Sequence, residues 1–440
     1  MSAEPAAAPA HTDSRTSWRV LAGCCIVGIF GVTSLYGSTF GLMMLPMQRE
    51  LGWSRGDITF ALTLMTLVGP AILPLVGWVI DHVRLRPLIL WGVALQSASL
   101  AGFGLMQGSV WVYYGLSLVM IFTASGASVL TLSKLLQAWF DKALGRALGI
   151  LFAVGAVGSV IHPQVVSRVI AYASWREAFF AMGAMSLVFG GVAAWLLLRE
   201  PPGAARPGPA AAPAPAGKAS SASSASSARS SAPPVSMRSF LKDPLWWKLA
   251  VWNMLFGLAA AGTLVHFAAL MQDRGLSLAQ AATAISLVGA GGFVGNLAAG
   301  WLIDHTSATR LARLFVLAPL AATAMLFFGS GLAVAITAAV LLGMFNAGDH
   351  SLSMFLARRY FSAESFGRAS ATQQVATVFG SGTAPWLMGM VHDRTGSYDV
   401  AIMVAMGAFV LAAVAAWLLP ESREGPPGVP GAASAGASSA

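Results

Sequence analysis

Six residues, Gly77-Trp78-Val79-Ile80-Asp81-His82, return as Gly300-Trp301-Leu302-Ile303-Asp304-His305, each time where a long apolar run ends. A repeat of this kind demands an architecture made of two like units. Other positions recur in step: Gly145-Arg146-Ala147 as Gly367-Arg368-Ala369, Trp139-Phe140 as Tyr360-Phe361, and Met47-Gln48 followed by Ser54 as Met271-Gln272 followed by Ser277.

The runs between these landmarks say what was duplicated. At 56% hydrophobic and 10% charged residues, with a mean hydropathy of +0.71, the chain holds more apolar side chains than a water-soluble domain of its size can hide. A helix needs roughly 20 apolar residues to cross the hydrocarbon. Twelve runs qualify, near 20–47, 57–80, 87–107, 110–138, 146–171, 175–198, 246–271, 280–303, 311–330, 332–357, 368–390 and 398–419, here called spans one to twelve. They are long, rich in Ala, Leu and Gly, and without the alternation of a barrel strand. The expected fold is an all-α integral membrane protein, twelve transmembrane helices in two pseudo-symmetric six-helix bundles, residues 18–199 and 243–419. Residues 200–242, dense in Ala, Pro, Ser and Gly, read as a flexible cytoplasmic linker, and 1–17 and 420–440 as disordered cytoplasmic tails.

Charge sets the expected orientation. With both termini inside, most of the 26 Lys and Arg fall on the cytoplasmic side, leaving Arg49, Arg55, Arg168, Arg176, Arg274 and Arg394 outside or near the outer face. The net charge of +9 then follows from topology, and no soluble basic domain exists to bind nucleic acid. The first 17 residues lack a basic n-region and cleavage site, so the first run is expected to remain as a span. Adjacent Cys24 and Cys25 read as small apolar fillers. No metal-spaced cluster, cofactor motif or nucleophile and base set appears in the spans, so no enzyme activity is expected.

Gly77, Asp81, Arg84 and Arg86 resemble the inner-loop signature of the major facilitator superfamily, with departures at His82 and Val83, and Gly300, Asp304 and Arg310 repeat it. The resemblance implies two bundles rocking about a central site. A carboxylate at the end of a span can accept from the free amides of a neighbouring helix start. The family's geometry implies that Asp81 meets the start of span eleven near Arg368, and Asp304 the start of span five near Arg146, latching the cytoplasmic side when the outer side is open; the plainer reading is that both aspartates only end helices at the interface. Leu51-Gly52-Trp53-Ser54-Arg55, with Arg359-Tyr360-Phe361 before Gly367-Arg368, resembles the branch of monocarboxylate transporters and oxalate/formate exchangers. That implies a small organic anion, often moved with a proton. The branch's span-eight arginine and span-eleven lysine are missing: Asn296 and glycines stand in the first place, and residues 369–390 hold no cation.

Ionisable groups at membrane depth are costly and mark function. They are His162 and Arg168 in span five, His266 in span seven, and Asp349 and His350 in span ten. Asp349 is either a proton carrier or a packing hydrogen-bond partner; His266 either meets substrate or a proton, or is a satisfied interfacial histidine; Arg168 either draws anions or snorkels to headgroups. Tyr36, Asn346 and Gln373 are uncharged candidates for substrate contact, with interhelical polar contact as the alternative for each. The expected function is a monomeric secondary transporter moving a small organic acid with protons by alternating access, in the inner (plasma) membrane of a bacterium. Export of amphipathic metabolites or drugs, and a transport-inactive membrane sensor, are the alternatives.

Overall fold

The computed structural model describes residues 15–200, 243–361 and 363–420. The linker expected over 200–242 and the tails expected over 1–17 and 420–440 lie outside the described residues, apart from their edges. The first six spans are Arg15–Leu51, Arg55–His82, Leu85–Leu105, Val110–Trp139, Leu144–Tyr172 and Trp175–Leu197. The second six are Pro244–Asp273, Leu278–His305, Ala308–Phe328, Leu332–Tyr360, Ala363–Thr395 and Asp399–Trp417. Eleven of the twelve are long and apolar enough to cross a bilayer by themselves. The other, span eleven, is a 33-residue helix diluted with Ser, Thr and Gln.

Alternate spans run in opposite senses, so the molecule has two faces. The face where spans two, four, eight and ten end carries Arg15, His82, His305 and Tyr360 and is here the terminal face; the far face carries Leu51, Arg55, Asp273 and Thr395. The repeated residues build the same local structure in both halves. Gly52 and Gly275 take φ of 69° and 86°, which ends spans one and seven. Ser54 and Ser277 then cap spans two and eight, each in a reciprocal box with the residue three ahead, Asp57 and Gln280. At the other end of these helices, His82 and His305 each stack on the tryptophan one turn back and donate from Nδ1 to its carbonyl at 2.8 Å.

Three spans depart from the uninterrupted helices expected. Span one is Arg15–Ile29, a turn at Phe30–Gly31, a π-helical turn at Thr33–Gly37, then Ser38–Leu51. Span four breaks at Gly126–Ser128 between Val110–Ser125 and Val129–Trp139, and Ser128 caps the second piece. Span six carries a π-helical stretch at Ser186–Gly191. Glycine explains much of this: at Gly126 the chain passes so near span three that an added Cβ would lie 2.9 Å from the Leu88 carbonyl. In the second half, spans seven and ten are continuous helices of 30 and 29 residues.

The halves meet through spans two with eleven, five with eight, and one with seven. Glycines permit the approach. A Cβ on Gly41 would sit 2.8 Å from the Val265 carbonyl, and one on Gly389 2.8 Å from the Gly56 amide. Both contacts lie toward the far face.

Candidate functional site

Among the described residues, hydrogen bonds and ion pairs between the halves gather near the far face. Arg55, at the start of span two, is 5% exposed. Its two terminal nitrogens donate to both oxygens of Asp273, at the end of span seven, at 2.6 and 2.9 Å, and its Nε donates to Gln48 Oε1 at 3.1 Å. A planar two-point pair of this kind is the strong form of an ion pair. Asp393, near the end of span eleven, accepts from the backbone amides of Arg55 at 3.0 Å and Gly56 at 2.7 Å. These are the free donors of a helix start, and the helix dipole favours the carboxylate there.

Two histidines and a tyrosine pack behind this clasp. His392 places Nε2 3.5 Å from Asp273 and Nδ1 3.8 Å from Asp393, and its ring centroid lies 4.5 Å from that of Tyr398. His266 has Nε2 2.8 Å from the Pro385 carbonyl and Nδ1 2.8 Å from Tyr398 Oη. A carbonyl can only accept, so Nε2 carries the hydrogen and the phenol donates to Nδ1. Burial pushes the Tyr398 phenol well above the ordinary tyrosine range, which keeps it a donor. Further in, Gln164 Nε2 of span five donates to Ser286 Oγ of span eight at 3.1 Å.

Toward the terminal face the halves part. Gly149, Phe152, Ala153 and Ala156 of span five face Phe293, Asn296 and Leu297 of span eight and Ser351 of span ten around a cavity of about 400 Å³. Nearer the midplane a second cavity of about 220 Å³ lies among Gly37, Ser38 and Gly41 of span one, Ser159, Leu264, Val265, Ile285, Val288 and Gly289. Among the described residues, its lining and that of the larger cavity are apolar apart from serine, Asn296 and backbone, with no charged side chain in either.

The candidates read from sequence fall into separate places. Tyr36 is buried among Phe40, Phe103 and Phe179 in the first half. His162 is buried too, and its Nδ1 donates at 3.2 Å to the Ser34 carbonyl in the π-turn of span one. Gln373 belongs to a chain inside the second half: Ser353 Oγ donates to Asn253 Oδ1 at 2.7 Å, Asn253 Nδ2 to Gln373 Oε1 at 3.1 Å, and Gln373 Nε2 to the Trp246 carbonyl at 3.1 Å. Asp349 is 7% exposed, and its Oδ1 has no hydrogen-bond partner among the described residues. It stands one turn before Ser353. Asn346 and Arg168 are exposed. The side chains of His350 and Asp304 lie outside the described residues.

At the terminal face Asp81 is paired with Lys134 of span four in its own half, and Lys134 also donates to the Ile80 carbonyl at 3.2 Å. The meeting of Asp81 with span eleven, expected of the opposite state, is not made among the described residues. Arg86 is tied within the first half as well, its amide to Glu200 at 2.9 Å and its side chain to the Trp195 carbonyl at 2.8 Å. Arg84, Arg146, Arg310 and Arg368 are exposed, and a Cβ on Gly77 or Gly300 would meet open space.

Two bundles clasped at one face and parted around a cavity at the other form a membrane transporter, not an enzyme. Residues 24–348 match the Major Facilitator Superfamily model, and the chain belongs to that family. It is 26% identical to the probable sulfoacetate transporter SauU of Cupriavidus necator over 379 residues, covering 82% of this chain and 84% of that one. It is 23% identical to the probable galactarate/D-glucarate transporter GudP of Escherichia coli, covering 90% and 92%. Among solved structures it resembles the nucleoside transporter NupG, with a TM-score of 0.68 at 12% identity over 92% of this chain and 98% of that one. A bacterial homolog of the human lysosomal transporter Spinster gives a TM-score of 0.66 at 15% identity, covering 92% and 96%.

Asp273, Asp393 and His392 carry no signal in the sequence that marks them as site residues, and Arg55 stands out there only as an outer-face cation and the end of a motif. A carboxylate at a span's end reaching the amides of another span's start, as expected of Asp81, is what Asp393 provides at the opposite face.

Proposed function

We propose that the protein carries small organic anions across the inner membrane of a bacterium by alternating access, as a monomer, together with protons. The terminal face is the cytoplasmic one, and the state described above is open to the cytoplasm. The observation that carries this reading is the far-face clasp of Arg55, Asp273 and Asp393 set against the cavity between spans five, eight and ten. The substrate class is supported by the relatives named for sulfoacetate and for galactarate and D-glucarate. In the opposite state Asp81 leaves Lys134 for the start of span eleven, and Asp304 meets the start of span five. Asp349 carries the proton, since a buried carboxyl with an unpartnered oxygen inside a membrane bundle is expensive to keep for packing alone.

The test uses purified protein in liposomes with an imposed pH gradient and labelled sulfoacetate or D-glucarate. Wild type accumulates one of them; Asp349→Asn exchanges it across the membrane but no longer concentrates it. Full accumulation by the variant removes Asp349 from the role. The apolar cavity walls, Phe152, Phe293 and Leu297, also suit export of an amphipathic compound. That reading gains if neither acid moves while cells lacking the protein become sensitive to hydrophobic compounds.

A further inference from the structure

We propose that Arg55 is also the guanidinium that first meets the acid group of an incoming substrate, and that Asp273 is an internal carboxylate holding that place while the far side is shut. The inference rests on the organic-anion reading above and deepens it.

Arg55 is the one buried Lys or Arg among the described residues. Its fork already grips a carboxylate at two points, 2.6 and 2.9 Å. The same planar fork accepts any carboxylate, and a sulfonate presents two oxygens to it in the same way. Among the described residues neither cavity below is lined by a cation, whereas the clasp offers an acid group a guanidinium already shaped to a carboxylate.

The supports of Arg55 are divided between the halves in a telling way. Gln48, which takes the Nε hydrogen, lies in span one and stays with Arg55 whenever the bundles tilt apart. Asp273 belongs to span seven and leaves with the second half, as does Asp393 from the Arg55 and Gly56 amides. Opening the far side therefore strips the fork of its carboxylate while keeping it aimed, and uncovers two backbone donors beside it. An acid entering from that side binds there in competition with Asp273. When it moves inward, Asp273 retakes the fork and the far face closes.

The competition gives the two partners of one ion pair opposite phenotypes. In cells taking up labelled sulfoacetate from the far side, Asp273→Asn removes the competitor, so KM falls about fivefold, and the maximal rate drops because closure is weakened. Arg55→Gln raises KM by about tenfold or more, the loss of a charged two-point contact. Arg55→Lys falls between, since an ammonium keeps the charge but lacks the fork. If Arg55 serves closure alone, the first two variants cut the same bond and move KM in the same direction, and that result overturns the proposal. Should Arg55→Gln fail to reach the membrane, Asp273→Asn decides by itself: an unchanged or higher KM overturns it. Wild-type cells that accumulate neither sulfoacetate nor D-glucarate would instead remove the organic-anion reading, and this inference with it.

Discussion

The two halves solve the same problem at the far face with exchanged charges. In the first, Glu50 at the end of span one takes Arg176, at the start of span six, at 2.8 Å, and Arg176 also donates to the Gly104 and Met106 carbonyls that end span three. In the second, Arg274 at the end of span seven takes Asp399, at the start of span twelve, at 3.2 Å, and also donates to the Leu326 and Gly329 carbonyls that end span nine. Each triangle braces one bundle internally. One residue earlier the likeness stops: Arg49 is exposed, whereas Asp273 crosses to Arg55 in the other half. The duplicated position thus supplies a brace twice and a clasp once.

A second contrast lies in stiffness. Spans eight and ten of the second half approach through glycines: a Cβ on Gly295 would overlap the Met344 carbonyl, and one on Gly343 the Val288 carbonyl. Their counterparts in the first half, spans two and four, meet more loosely, and a Cβ on Gly69 would find only the tip of the Ile121 side chain, at 3.2 Å. The largest expected effect follows. Gly295→Ala lowers stability by about 3 kcal/mol or more, because backbone must move, while Gly69→Ala stays within about 1 kcal/mol because a flexible side chain can give way. Thermal unfolding of the two variants in detergent compares them directly; similar losses would erase the contrast.

Next in size, Asp393→Asn weakens charge-assisted bonds to two amides and favours the state open at the far face by about 1.5 kcal/mol, roughly a tenfold shift in population. Glu50→Gln, in the brace, leaves that equilibrium alone and costs less than about 1 kcal/mol of stability. Distances between spin labels across the far face separate the two, and equal shifts would mean that brace and clasp are not distinct. The smallest effect is expected at the pliant part of the first half. Ser34→Ala removes the 3.1 Å bond to the Gly155 carbonyl and costs about 0.6 kcal/mol, the usual worth of one interhelical hydrogen bond in a membrane. A change in melting temperature beyond a few degrees would give the π-turn of span one a larger share in stability than this account allows.

Much of the fold was legible in the residues. Apolar length gave twelve spans, and the repeat paired them, because helix ends, caps and the Gly52 and Gly275 turns are local and survive duplication. The interruptions of spans one and four were not legible, since hydropathy is blind to a change of hydrogen-bond register within an apolar run. The site was read less well. Asp349 stood out by being charged in an apolar helix, but Arg55 and Asp273 sit at helix ends where charge is ordinary. Their importance comes from lying opposite each other across two bundles, and such a pairing depends on which face is shut. His266 shows the converse: conspicuous in sequence, it spends both ring nitrogens on Tyr398 and Pro385 inside the second half.

The wide turn at Thr33–Gly37 holds a residue more than a regular helix would use for that rise. Drawing that slack back into ordinary winding would swivel Arg15–Ile29 by about 100° around its own axis, one residue's share of a turn, with Ser38–Leu51 held still. Span one thus holds a reserve of winding that span seven, a continuous helix of 30 residues, does not.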